Sequence, residues 1–284
     1  MIKFVFFGTP EFATIILEKL IKSGLGPQAV FRDPKESVSV LIEKLEYLKP
    51  DLAVIAAYGK ILPKEILEIP RYGFINVHPS LLPKYRGASP IQYAILNGDK
   101  ETGVTIMKVD EEMDRGPLLA NNSLGVANSD TYESLSKKLA ELGAELLVKT
   151  IPDYISGKIK PIPQDHSKAT YTKIIKKEDG KIDWSKSAEI IERMIRAYYP
   201  WPSAYAKLKV KSEKFKIVKI IEAEICKENN HTIGEVFLTE NNQLAIKCGA
   251  GSLVIKKLQL EGGKVLTAKE FLNGHKNFVG SILE

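Results

Sequence analysis

The sequence predicts an α/β domain built on a parallel-rich sheet, followed by a smaller domain in which a helix leads into a β-barrel. Three observations carry this reading. Residues 2–7 are a continuous apolar run with one lysine, which breaks at Gly8-Thr9-Pro10 and leads into the helically periodic residues 12–21. Strand-like and helix-like segments then alternate as far as residue 150, the order that makes neighbouring strands parallel. From Ala204 onward the apolar period switches to two, in several short runs.

Size and composition agree with two domains. A chain of 284 residues exceeds the usual single core, and 44% apolar with 27% charged residues excludes collagen-like and wholly disordered chains. No apolar run approaches the length that crosses a bilayer, and the opening run is too short for the core of a signal peptide. A cytoplasmic protein with no membrane partner is therefore expected. The two cysteines, Cys226 and Cys248, have no metal-ligand spacing and make no disulfide framework, so they read as small buried residues.

Each element has its own justification. Residues 37–48 are helical and end at Lys49-Pro50-Asp51; residues 52–57 are a buried strand, and residues 74–77 another, entered through Tyr72-Gly73. A further strand spans 104–109. Across 130–150, Leu135, Leu139, Leu142 and Leu146 recur at helical spacing, with Asp130 and Glu133 in capping-box register. That helix closes the first domain, set at residues 1–160. Residues 161–184 hold Pro161, Pro163 and five lysines among small polar residues, and read as a basic surface linker. Residues 185–284 make the second domain. Its helix, 187–198, places Ile190, Ile191, Met194 and Ile195 on one face and stops at Pro200-Trp201-Pro202. Strands are expected at 205–211, 215–225, 234–238, 244–247 and 252–260.

Charge divides unevenly between these parts. Of 41 basic and 35 acidic residues, 20 of each lie in 1–160, so the remaining 21 basic and 15 acidic groups give the second part the whole net charge of +6. A neutral first part suits a small-molecule site. A basic second part can attract a polyanion, although a lysine-rich solvated surface has the same signature.

Several chemistries are excluded by what is missing. The Gly8-Thr9-Pro10 turn lacks the later glycines of a dinucleotide fingerprint, and no glycine-rich loop ends in Gly-Lys-Ser/Thr. His78, His166, His231 and His275 are scattered without His-x-x-x-His or Cys-x-x-Cys pairs, so no metal is expected. What remains is residues 73–90, GFINVHPSLLPKYRGASP, where a strand runs out into a proline-rich loop. At a period of two, Asn76, His78 and Ser80 leave one side while Ile75 and Val77 pack into the sheet. A lone histidine is usually a structural residue; an amide, an imidazole and a hydroxyl emerging together at a strand's carboxyl end are a binding site. Residues 103–116 are a second strand, running into an acidic turn. There Asp110, Glu111 and Glu112 read as solvated surface.

Phe7-Gly8-Thr9-Pro10, the Asn76-x-His78-x-Ser80-Leu81-Leu82-Pro83 loop with Arg86-Gly87, and residues 103–116 with Asp114 together resemble the folate-dependent formyltransferase superfamily. Lys181-Ile182-Asp183-Trp184, Ile195-Arg196-Ala197 and Pro200-Trp201-Pro202 are similar to the branch of it that acts on methionyl-tRNA. The resemblance covers nearly the whole chain. It implies a Rossmann-like catalytic domain, a basic linker and a C-terminal OB-like barrel that binds tRNA. The implied reaction transfers a formyl group from 10-formyltetrahydrofolate to the amine of initiator methionyl-tRNA, in a monomer. Asn76, His78 and Asp114 would be catalytic, and Ser80, Leu81, Leu82 and Pro83 would border the folate. Ser80 is then a binding or loop-shaping residue rather than a nucleophile. A relative that formylates another amine, such as a sugar nucleotide, would use the same three residues, but the linker and barrel argue against it. A noncatalytic RNA-binding protein would have no need of all three. The resemblance also implies a further strand, basic loop and helix before residues 29–31, where this chain has only a short Gly- and Pro-containing connection, and hence a narrower sheet.

Overall fold

The structure is a computed structural model describing residues 2–209 and 215–284. In chain order its first part contains β1 (Phe4–Phe7), α1 (Glu11–Lys22), β2 (Ala29–Phe31), α2 (Val38–Leu48), β3 (Leu52–Ile55), α3 (Lys64–Leu67), β4 (Phe74–His78), β5 (Arg86–Gly87), α4 (Pro90–Leu96), β6 (Glu101–Lys108), β7 (Leu118–Gly125), α5 (Tyr132–Ile155) and β8 (Tyr171–Thr172). The second part has α6 (Ala188–Tyr198), β9 (Ala204–Lys209), β10 (Phe215–Cys226), β11 (Val236–Leu238), β12 (Leu244–Lys247), β13 (Ser252–Leu260), β14 (Val265–Thr267) and α7 (Ala268–Gly274). The expected strand at 205–211 ends on residues 210 and 211, which lie outside the described residues.

Contacts divide the chain into two units. The first holds everything up to Ile91, Lys100–Ala127 and Ser134–Ile174; the second holds Gln92–Asp99, Asn128–Glu133 and Ile175–Glu284. The division falls inside the segment expected as a linker, whose first half is woven into the first unit. There β8 pairs in parallel with β5, Tyr171 opposite Arg86 and Thr172 opposite Gly87.

The sheet of the first unit has the order β2-β1-β3-β4-β6-β7. The four strands from β2 to β4 are parallel, while β6 and β7 run antiparallel. Only β2 lies outside β1, so the sheet is narrow on that side. The turn from β1 into α1 demands Gly8, where a Cβ would stand 2.5 Å from the Ala13 Cβ and 2.7 Å from the Ala56 carbonyl. Helix α1 buries Phe12, Ala13, Ile16, Leu17 and Leu20 along one stripe, and α2 starts where the Ser37 hydroxyl accepts a hydrogen bond from Val40 N–H. Gly143 lets α5 lie close on the other face, since a Cβ there would meet the Val77 side chain at 2.8 Å. Val77 thus points toward α5, whereas Phe74 joins the core around Phe7, Leu41 and Leu45 on the opposite face.

In the second unit the order is β11-β12-β13-β10-β9, with β14 on β13, all antiparallel. The 12-residue β10 carries a register shift around Glu222, the irregularity that lets a long strand curl. The last residues then join both sheet edges. On the β11 side the Ser281 carbonyl accepts from Val236 N–H and Leu283 N–H donates to the Gly234 carbonyl, and Lys207 of β9 pairs twice with Glu284. The result is the expected OB-like barrel around Val218, Ile220, Ile246, Leu253 and Ile255. Helix α6 buries Ile191 and Ile195, but Ile190 is 45% exposed and lies off the stripe expected for it. Arg196 grips Glu192 with two hydrogen bonds and donates a third to the Asp130 carbonyl, a structural use of its charge. Cys248 is buried, and burial pushes its thiol up to about 12; Cys226 is half-buried. No helix among the described residues is long and apolar enough to cross a membrane.

Candidate active site

Strand β4 lies between its parallel neighbour β3 and its antiparallel neighbour β6, so its carboxyl end is where the sheet changes direction. Ligands of open α/β sheets bind at such an edge. Alternation along β4 puts Phe74, Asn76 and His78 on one face. Phe74 is absorbed by the core, which leaves Asn76 and His78 at the rim. Asn76 is half-buried, and its side-chain amide has no hydrogen-bond partner among the described residues.

His78 is only 3% exposed and is held on both sides. Its Nε2 lies 3.0 Å from the Tyr85 carbonyl oxygen, which can only accept, so Nε2 carries a proton. Nδ1 is thereby turned toward Asp114, whose Oδ1 is 3.6 Å away, an ion-pair distance rather than a closed hydrogen bond. The other Asp114 oxygen accepts the Gly87 N–H at 2.7 Å. Asp114 has φ +54°, a left-handed conformation that aspartate tolerates better than most residues at a cost of about 1 kcal/mol. The structure therefore brings His78 and Asp114 together across 36 residues of chain, beside Asn76. Asp110, Glu111 and Glu112 are exposed, as the sequence suggested.

The loop after β4 is built from its own polar groups. Ser80 Oγ donates to the Lys84 carbonyl at 2.6 Å; Thr105 Oγ1 donates to the Ser80 carbonyl at 2.7 Å and accepts from Leu82 N–H at 3.1 Å. Ser80 and Leu82 are buried, so their side chains shape the loop, and among the four expected folate residues Leu81 and Pro83 offer surface at its lip. Leu81 lies over Gly103, where a Cβ would come within 2.6 Å of Leu81 Cδ2. Tyr85, whose carbonyl anchors the imidazole, is itself at φ +63° and bonds through its N–H to Thr170 Oγ1 at 2.8 Å.

Gly116 ends the turn that carries Asp114. A Cβ there would stand 2.0 Å from the Lys108 carbonyl oxygen, a backbone atom that cannot swing aside. Gly116→Ala is expected to cost about 2–4 kcal/mol of stability, read as a lower midpoint in denaturant unfolding. An unchanged midpoint would show that the turn is softer than its packing implies.

Two contributors, the Tyr85 carbonyl and Gln164, were not legible in the sequence. The Tyr85 carbonyl acts through its backbone, which no side-chain pattern announces. Gln164 and Arg86 lie beneath Asp114: Arg86 is 1% exposed, and its Nε and Nη2 donate to Gln164 Oε1 at 3.1 and 2.6 Å. Among the described residues no group of three His, Cys, Asp or Glu is placed to hold a metal ion.

Comparison with known proteins decides the family. Residues 9–151 match the profile described as formyl transferase, and residues 174–276 match that of the formyl transferase C-terminal domain. Over 302 aligned residues the chain is 43% identical to the methionyl-tRNA formyltransferase of Thermodesulfovibrio yellowstonii, with 96% of each chain covered. This chain belongs to the formyl transferase family. Among solved structures, the formyltransferase fold is shared with HypX from Aquifex aeolicus in complex with tetrahydrofolic acid, at a TM-score of 0.74 and 20% identity over 98% of this chain and 48% of that one. It is also shared with a methionyl-tRNA formyltransferase from Clostridium thermocellum, at a TM-score of 0.62 and 17% identity over 94% and 100%. The 302-residue alignment is longer than the 284 residues of this chain, so its relative carries residues that this chain lacks inside the matched span. The short connection between α1 and β2 is where the sequence resemblance implies such a segment.

Proposed function

We propose that this formyl transferase moves the formyl group of 10-formyltetrahydrofolate to the α-amine of methionine on initiator tRNA, for translation initiation in the cytoplasm. The observation that supports the chemistry is the gathering of Asn76, His78 and Asp114 at one sheet edge. Relatives named methionyl-tRNA formyltransferase, matched over nearly their whole length, favour the tRNA substrate over a sugar nucleotide, and the tetrahydrofolic acid in the HypX complex supports a folate donor.

The residues suit the charges that such a transfer creates. As the amine attacks, a C–N bond forms and the carbonyl electron pair moves onto oxygen, while the new nitrogen becomes cationic. The Asn76 amide, which has no hydrogen-bond partner among the described residues, can donate to that oxygen, and a protonated His78 would add positive potential at the same edge. The cationic nitrogen then gives up a proton, and the bond from carbon to the donor nitrogen breaks as that nitrogen gains one. Asp114 faces His78 Nδ1 and is the more exposed of the two, so this pair is placed to accept and return the proton. Leu81 and Pro83 give the donor an apolar lip at the loop. In the second unit, the barrel and the exposed Lys176 and Lys177 would hold the tRNA.

The test is mass spectrometry of methionine released from charged initiator tRNA after incubation with enzyme and 10-formyltetrahydrofolate. A gain of one formyl group per methionine is expected. Formylation of an amino sugar nucleotide, with methionyl-tRNA left unmodified, would move the assignment to another branch of the family.

A further inference from the structure

We propose that Gln164 is a positioning residue that acts through Asp114, an inference that rests on the reading of the site given above. Gln164 is 6% exposed and uses its whole hydrogen-bonding capacity. Its Nε2 donates to the carbonyl oxygens of Asp114 and Gly116 at 2.9 and 2.8 Å, and its Oε1 accepts two hydrogen bonds from Arg86. The direction of the amide follows from its partners, because a guanidinium can only donate and carbonyls can only accept.

The same two residues of β5 therefore hold Asp114 from both sides. Gly87 N–H binds its carboxylate directly, and Arg86 reaches its backbone carbonyl through Gln164. Such a clamp answers a specific need. A residue at φ +54° with its carboxylate 3.6 Å from an imidazole can relax by rotating its peptide, and that would carry Oδ1 away from His78. Arg86 is itself fixed, with Nη2 donating to His166 Nδ1 at 2.9 Å and Nη1 to the Tyr171 hydroxyl at 3.4 Å. Residues 164–172 are thereby part of the catalytic apparatus, supplying the support on which the acid of the site rests.

Two substitutions separate this role from simple stability. Gln164→Glu keeps an acceptor for Arg86 but turns an oxygen toward the two carbonyls; Gln164→Leu removes all four hydrogen bonds at similar volume, and answers the question if the charged variant does not fold. Each folded variant is expected to lose about 10- to 100-fold in kcat while KM for both substrates stays within about twofold, since geometry at the reacting atoms is lost and binding surface is not. In an Asp114→Asn background the Gln164→Leu change is expected to add less than about twofold, because residues acting as one unit are not additive. Unimpaired kcat in a folded Gln164 variant, or an equal loss in both backgrounds, would overturn the proposal. Full activity of Asp114→Asn alone would instead count against the underlying reading of the site.

Discussion

His78→Ala is expected to lower the single-turnover rate of formyl transfer by about 10²- to 10⁴-fold, and Asn76→Ala by about 10²-fold, with the protein still folded. The magnitudes follow from what each side chain offers. An oriented amide aimed at a developing oxyanion is worth about 10²–10³ in rate, and a general acid–base group about 10²–10⁴. Asn76 is the cleaner case, since its amide has no hydrogen-bond partner to lose among the described residues. His78 is more demanding because it is buried: deleting the ring takes the imidazole donor from the Tyr85 carbonyl and leaves Asp114 Oδ1 without the group it faces, for a stability cost of about 1–3 kcal/mol. His78→Asn or His78→Gln therefore belongs beside the alanine variant, as a side chain that still fills part of the space and can still donate. The rates should be compared in single turnover with both substrates saturating, so that weakened binding does not enter. Near-wild-type rates in these variants would remove His78 and Asn76 from the chemistry.

How much of this was visible beforehand depends on how each part earns its stability. Strand β4 and its loop were legible because the two features there are periodic or local: alternation put Asn76 and His78 on one side, and Pro79, Pro83, Gly87 and Pro90 marked the chain leaving the sheet. The barrel strands were legible for the same reason. Strand β7 was not, because it is an edge strand with Asn121, Asn122 and Ser123 exposed in mid-course, so it has no alternating apolar face. Helix α7 was missed although Thr267 and Glu270 form a capping box three residues apart, a signal present in the sequence. The last strand-like residues, which seal the barrel, are too few to show a period. Gln164 failed for a deeper reason. It sits between Pro163 and Asp165 in a stretch whose composition reads as solvated, and its burial rests on hydrogen bonds to Arg86, Asp114 and Gly116 rather than on apolar neighbours. Burial of that kind leaves no hydrophobic pattern for a sequence to display. The pairing of Asp114 with His78 came from the resemblance, since nothing local links residues 36 apart.

The second large effect is expected in tRNA binding, where affinity should fall about 10²- to 10³-fold between 50 and 200 mM monovalent salt, as for a protein that contacts about four to six phosphates. The charge distribution motivates this, because the whole net charge of +6 lies after residue 160. The structure narrows which charges count. Lys256 and Lys257 are engaged with Glu224 and Glu222 at 2.8 and 2.7 Å, Lys247 is buried against backbone carbonyls, and Arg196 is occupied by Glu192. Charges already neutralised by a carboxylate release fewer counterions when RNA arrives. Lys176 and Lys177 lie exposed in the basic stretch, and they are the residues whose removal should matter most. Replacing either one by alanine is expected to lower the slope of log affinity against log salt by about one, whereas Lys256→Ala or Lys257→Ala should change it by less. Filter binding or fluorescence titration of initiator tRNA across a salt series measures both quantities. An affinity indifferent to salt would mean that the basic second part is only a solvated surface, and that the tRNA is held through contacts of another kind.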